Sequence, residues 1–269
     1  MIRRTGASVA LAFLLLASPV LGQVDPFEFE VYPYQTEGKG MLELESLNSV
    51  VAQGHSQADS GTSSGDFPSE HMYRSTIELT YGLTEKIEFA AYLTLAHPNA
   101  DTLQYAGSKY RLRGSLFDQG QLPVDLGWYA ELEWQRTPQF DDSQLELELR
   151  PIIEKDIGRF EIDLNPKFEK AVFVGPDKHK GFELGYAAGL YYNYMRWLSP
   201  GLEFYGGAGL IDDSDPLHEQ QHYIFPVIRG EFPGGIEYNL GPGIGLTRGS
   251  DQVIMKLNIE LEHFVGTLL

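Results

Sequence analysis

The stretch "SQLELELRPIIEKD", residues 143–156, decides the fold class of this chain. In it three leucines alternate strictly with three charged residues: Leu145, Leu147 and Leu149 with Glu146, Glu148 and Arg150. A helix, with its repeat of 3.6 residues, would mix these two sets, whereas a strand points successive side chains to opposite faces. The stretch therefore predicts a β-strand with one apolar face and one ionised face.

The same period of two recurs along the chain between clusters of Gly, Pro, Asn, Asp and Ser. It predicts twelve strands, near residues 40–51, 72–83, 86–97, 104–117, 124–136, 143–155, 159–172, 181–196, 201–211, 222–232, 235–246 and 252–265. Four prolines, Pro151, Pro166, Pro226 and Pro242, fall inside these strands. Because proline cannot donate to a ladder of hydrogen bonds, we expect local gaps or bulges there.

Strand length and loop length distinguish a membrane barrel from a soluble sandwich, which also alternates. The predicted strands exceed the ~5–6 residues usual in globular sheets and suit a tilted crossing of a bilayer. Their connections alternate between tight turns such as 83–86 and 155–158 and longer segments such as 54–71 and 211–221. We therefore predict an all-β fold: a single antiparallel up-and-down transmembrane β-barrel of about 12 strands, with short periplasmic turns and longer extracellular loops.

The N-terminus has the layout of a secretory signal peptide. Arg3 and Arg4 precede an apolar run from Val9 to Ala17, which is shorter than the ~20 residues that a membrane-spanning helix needs. We expect residues 1–22 to be cleaved, residues 23–39 to form a periplasmic N-terminal segment, and residues 40–269 to form the barrel. The aromatic residues of the N-terminal segment leave open that it plugs or caps the barrel. This organisation predicts export to the cell outer membrane.

Repeated hairpins such as "IELTYGLTEKIEFAAYL" (77–93) resemble those of bacterial outer-membrane β-barrels over roughly residues 40–269. More loosely, the chain is similar to the transporter-type barrels of the meta-pathway phenol-degradation group. The resemblance implies a passive channel or transporter. It also implies outer-membrane lipids, lipopolysaccharide and the barrel-assembly machinery as partners, with a periplasmic protein as a further candidate.

The chain is acidic and lacks cysteine. It has 20 Lys and Arg against 38 Asp and Glu, a formal net charge of −18. This charge disfavours sequence-independent binding to nucleic acid, and the lack of cysteine excludes disulfides and thiolate chemistry. We expect small solutes, cationic or neutral, as cargo, and we expect neither a cofactor nor covalent chemistry.

The inward parity of the predicted strands carries charges of both signs. These side chains are predicted to line the lumen, either around a pore or in a closed network of salt bridges: Arg111, Arg113, Glu131, Glu133, Glu146, Glu148, Arg150, Glu161, Asp163, Lys167, Glu203, Glu237, Lys256 and Glu260. A barrel of twelve strands is intermediate between filled eight-stranded barrels and open sixteen-stranded porins. Strand number therefore leaves both interpretations open.

Three other functions fit parts of the sequence. A lipid hydrolase of the outer membrane could use His263, or His55 with the serines and aspartate of residues 56–60. The acidic loop 211–222, with His218 and His222, could hold a metal ion. A soluble secreted β-sandwich would show the same alternation. A flexible surface loop explains residues 55–60 as well, and an acidic solvated loop explains residues 211–222 as well.

Overall fold

The computed structural model describes residues 24–56, 68–99, 101–136, 145–173, 181–212 and 214–264. Residues 1–22, the predicted signal peptide, lie outside this described part. In the described residues no helix is long and apolar enough to cross a membrane.

Twelve strands close into one barrel in which every neighbouring pair is antiparallel. Sequential strands are neighbours throughout, and the first strand pairs with the last. This confirms the all-β up-and-down barrel. The strands are β1 (Met41–Gln53), β2 (Tyr73–Thr84), β3 (Ile87–His97), β4 (Gln104–Ser115), β5 (Asp125–Gln135), β6 (Glu146–Ile157), β7 (Phe160–Ala171), β8 (Glu183–Tyr192), β9 (Ser199–Leu210), β10 (Gln221–Phe232), β11 (Ile236–Gly245) and β12 (Val253–Phe264).

The two ends of the barrel differ in their connections. Residues 85–86, 158–159 and 233–235 make tight turns at one end, called here the short-turn end. At the opposite, long-loop end, residues 54–72 and 211–220 connect neighbouring strands. In bacterial outer-membrane barrels the short turns face the periplasm and the longer loops face the exterior.

Apolar side chains cover the outside of the barrel and polar side chains fill its interior. On β6, Leu149 is 40% exposed, whereas Glu148 and Arg150 on either side of it are buried. Leu79 and Leu93 point outward in the same way. Because water would be a poor solvent for a continuous apolar wall, this arrangement suits a bilayer around the barrel.

The four strand prolines form two facing pairs. The register on either side places Pro151 of β6 opposite Pro166 of β7, and Pro226 of β10 opposite Pro242 of β11. In these described strands the pairing stops at Leu149 and Ile224 and resumes at Ile153 and Ile228. The expected local gaps are therefore present. Each gap contains two facing prolines, so the four prolines interrupt two ladders, β6–β7 and β10–β11.

The segment before the first strand occupies a different place from the periplasmic one expected. Residues 24–39, called here the lumen segment, lie inside the barrel. Phe27, Phe29, Tyr32 and Tyr34 are each at most 5% exposed. Their aromatic area is removed from water by packing against the inner wall, which a position in the periplasm would not provide.

Candidate functional site

The lumen segment runs through the barrel from one end to the other. The Val24 amide donates to Gln221 Oε1 (3.1 Å), at the long-loop end of β10. At the short-turn end the Gly40 amide donates to the Gly82 carbonyl of β2 (2.9 Å). A Cβ on Gly82 would lie 1.9 Å from the Gly38 carbonyl oxygen, so only glycine admits the segment there.

The backbone of the lumen segment bonds to side chains of the wall, because it belongs to no sheet. Asn165 of β7 accepts from the Tyr32 amide (2.7 Å) and donates to the Tyr32 carbonyl (3.1 Å). Lys256 and Asn258 of β12 both donate to the Phe29 carbonyl (3.1 and 3.3 Å). Buried backbone groups require such partners, so these wall residues fix the path of the segment.

A buried ion network joins the lumen segment to β4 and β6. The Lys109 ammonium contacts Asp25 and lies 3.0 Å from Glu28 Oε2, and Arg150 Nη2 lies 2.9 Å from Glu28 Oε1. Lys109 also lies 3.4 Å from Glu131 and from Glu133 on β5. One lysine thus holds two acids of the segment and two of the wall.

Tyr32 lies among three arginines at the centre of the lumen. The guanidinium carbons of Arg111, Arg113 and Arg150 lie 4.9, 5.1 and 4.9 Å from its ring centroid. Its hydroxyl lies 3.2 Å from that of Tyr92. Cation–π attraction is strongest away from water, so Tyr32 is the main aromatic anchor of the segment.

An aromatic cluster holds the other part of the lumen segment against β9 and β10. The Phe29 ring centroid lies 5.4 Å from Tyr205, 5.6 Å from Tyr223 and 5.0 Å from Phe225. The edge-to-face contacts with both tyrosines are favourable geometries for aromatic rings. Aromatic side chains of β9 and β10 therefore hold Phe29, whereas charged side chains of β4 and β6 hold Asp25 and Glu28.

The structure points all fourteen predicted lumen residues away from the apolar outer surface. Nine are buried: Arg111, Arg113, Glu131, Glu148, Arg150, Asp163, Lys167, Glu203 and Lys256. Five are partly exposed: Glu133, Glu146, Glu161, Glu237 and Glu260. All five basic ones are paired with acids: Arg111 and Arg113 with Glu88, Arg150 with Glu28 and Glu148, Lys167 with Glu148, and Lys256 with Glu203.

A cavity of about 580 Å³ opens beside the lumen segment at the short-turn end. Glu30, Pro33 and Gln35 of the segment form part of its lining, and the rest comes from the wall around it. Its charged lining residues are Glu30, Glu45, Glu231, Glu237 and Glu260 against Arg159, Arg196 and Arg229. The cavity is therefore polar and has a surplus of carboxylates.

Two glutamates of the lumen segment have opposite surroundings. Glu28 lies between two cations, 3.0 Å from Lys109 and 2.9 Å from Arg150. Glu30 instead lies among acids: one of its carboxylate oxygens is within 4.8 Å of an oxygen of Glu45 and of Glu78. The segment is therefore held at Glu28 by ion pairs, and among the described residues it is not held in this way at Glu30.

His218 and His222, which the sequence suggested as metal ligands, have different surroundings. His218 contacts Glu219 in an exposed loop, whereas His222 bonds to Gln220 (2.7 Å) and Tyr186 (3.1 Å). The two histidines thus have separate partners. The His263 side chain and residues 57–60 lie outside the described part of the structure.

A closed antiparallel barrel with an apolar outer surface and a charged interior defines a transmembrane β-barrel. An outer membrane channel from Pseudomonas putida is 13% identical to this chain and matches with a TM-score of 0.61, covering 87% of this chain and 100% of its own. The KdgM porin is 6% identical, with a TM-score of 0.52, covering 81% and 98%. No family model matches the sequence, and no curated protein matches it. The chain therefore has the fold of outer-membrane channels.

Proposed function

We propose that this protein is an outer-membrane channel for small solutes whose passage is limited by the lumen segment. The observation that carries the proposal is a charged, polar interior crossed by a single segment and continuous with a cavity at the short-turn end. Such an interior suits water-soluble cargo. A purely structural barrel of this width needs no such cavity.

The proposed cargo is cationic or neutral. The carboxylates of Glu237 and Glu260 lie directly opposite each other in the cavity lining, so an anion would be repelled at this place. The resemblance to barrels of the meta-pathway phenol-degradation group makes small neutral aromatic molecules the first organic solutes to test. This function requires neither covalent chemistry nor a cofactor. It places the protein in the outer membrane, in contact with lipid and lipopolysaccharide.

A closed structural barrel is the second candidate. It is favoured by the buried ion pairs between the lumen segment and the wall, such as Arg150 with Glu28. Because breaking such a pair in a dry interior is costly, the segment could hold the barrel shut permanently. A closed barrel of this kind would scaffold a periplasmic or surface partner.

Planar-bilayer recording tests the proposed function. Purified protein should produce discrete conductance steps, and a salt gradient should give a reversal potential of the sign expected for cation preference. Glu237 and Glu260 face each other across β11 and β12 in the cavity lining. Changing both to Gln should reduce the cation preference, whereas Glu85→Gln should leave it unchanged.

Conductance steps that are absent under all conditions would favour the closed barrel. Conductance steps with anion preference would contradict the proposed role of the carboxylates but would still support the proposal that the protein is a channel.

A further inference from the structure

Three carboxylates converge on the inner wall near the short-turn end. Glu154 lies on β6, and Glu161 and Asp163 lie on β7, with Asp163 directly opposite Glu154 in the register. One oxygen atom from each carboxylate lies within 4.8 Å of one oxygen atom from each of the others. We call these three residues the carboxylate cluster.

Asp163 is the unusual member of the carboxylate cluster. It is 1% exposed, and neither of its carboxylate oxygens has a hydrogen-bond partner in the described structure. Its partner on the other side, on β8, is Gly189, which has no side chain that could donate a hydrogen bond. A buried carboxylate without a donor is strongly unfavourable. Asp163 therefore requires a positively charged ligand or a proton.

The existing partners leave part of the cluster open to a ligand. Arg229 Nη2 (2.6 Å) and Asn193 Nδ2 (3.0 Å) both contact Oε2 of Glu161. The Tyr34 amide of the lumen segment donates to Oε2 of Glu154 (2.7 Å). All of these contacts are made to an Oε2 atom of a glutamate, and none to Asp163. The cluster offers three converging oxygen donors, one from each carboxylate.

The charges of the site match a divalent cation. Three carboxylates and the Arg229 guanidinium sum to two negative charges. Asp125 and Asp156 lie nearby and add to the negative potential at Glu154. Arg229 and Asn193, which both contact Glu161, also line the cavity at the short-turn end, so the site lies next to this cavity.

We propose that the carboxylate cluster binds a hard divalent cation, with Ca²⁺ as the best fit. Oxygen donors that include a bidentate carboxylate are the ligands Ca²⁺ prefers, and its flexible geometry lets water complete the shell. Mg²⁺ demands near-octahedral geometry and releases its water reluctantly, so it fits less well. A bound cation holds Glu154 in place, and Glu154 in turn holds the Tyr34 amide.

Calorimetric titration of the full-length protein in detergent, stripped of divalent ions, tests the proposal. Addition of CaCl₂ should show one saturable site per chain and should raise the thermal midpoint of barrel unfolding. Asp163→Asn should weaken the Ca²⁺ affinity by about tenfold or more, because it removes the charge of a ligand. Without Ca²⁺, Asp163→Asn should be at least as stable as the original protein, since it removes the repulsion within the cluster.

Asp101→Asn provides the matched control. It removes the same charge from an exposed position between β3 and β4, at the long-loop end and far from the cluster, so it should leave the affinity nearly unchanged. Glu154→Gln tests the same site if Asp163→Asn does not fold. The proposal is overturned if no Ca²⁺ binds, or if Asp163→Asn and Asp101→Asn bind it equally. Stability that depends on pH but not on Ca²⁺ would also overturn it and would assign a shared proton to the cluster instead.

Discussion

Removal of residues 24–39 is expected to raise the single-channel conductance several-fold. The lumen segment fills the middle of the barrel with the side chains of Phe29 and Tyr32, both at most 4% exposed. A twelve-stranded barrel is wider than the eight-stranded barrels that side chains alone can fill. Without the segment, water enters and solvates charges such as Lys109 and Arg150. The deletion should therefore leave a folded and wider pore.

A second variant tests whether conductance is limited by the anchored position of the lumen segment or only by its presence in the chain. Replacing residues 24–39 by a Gly- and Ser-rich stretch of equal length keeps the chain but removes its anchors. This variant should also conduct more than the original protein. Both variants should still migrate differently on a gel when unboiled and boiled, as a folded barrel does. Unchanged conductance in two folded variants would show that the segment does not limit passage.

Lys109→Met should destabilise the folded barrel by about 3–5 kcal/mol. Lys109 is 1% exposed and is the cation between Asp25 and Glu28 of the lumen segment and Glu131 and Glu133 of the wall. Its loss leaves four carboxylates close together in a dry interior. Urea unfolding in detergent should show the decrease in the free energy of unfolding. Lys86→Met, at an exposed pair with Asp118, should change it by less than about 1 kcal/mol.

The effect of Lys109→Met should depend on the lumen segment. In the variant without residues 24–39, two of the four carboxylates are gone and water reaches the others. The cost of Lys109→Met should therefore be smaller in that variant, and the difference between the two costs measures the coupling. Equal costs in both backgrounds would show that Lys109 stabilises the wall alone and does not hold the segment.

The barrel could be predicted from the sequence because period-two alternation is a local property of each strand. The alternation on β6 alone indicates that Leu149 faces outward and Glu148 faces the interior, without reference to any other strand. The proline interruptions were predictable for the same reason, since each proline lacks a donor in any sheet. The facing of Pro151 with Pro166 depends on register and appears only in the structure.

The position of the lumen segment could not be predicted in this way. Its partners come from strands far along the chain: Tyr32 bonds to Asn165, 133 residues away. The sequence contains one signal that was available, the alternation of Phe27, Glu28 and Phe29, which indicates an extended chain with two different faces. That alternation cannot distinguish a thirteenth strand from a segment inside the barrel. The carboxylate cluster was likewise missed because Glu154 meets Asp163 only through the register.

Cross-linking in intact outer membranes tests most directly that the segment lies in the lumen. The chain has no cysteine, so Val24→Cys and Gln221→Cys introduce a single pair of thiols, at positions joined by a hydrogen bond in the structure. A short reducible cross-linker should join them in high yield. It should not join Val24→Cys to Glu85→Cys at the short-turn end. Efficient joining to Glu85→Cys, with none to Gln221→Cys, would place the segment in the periplasm and contradict this account.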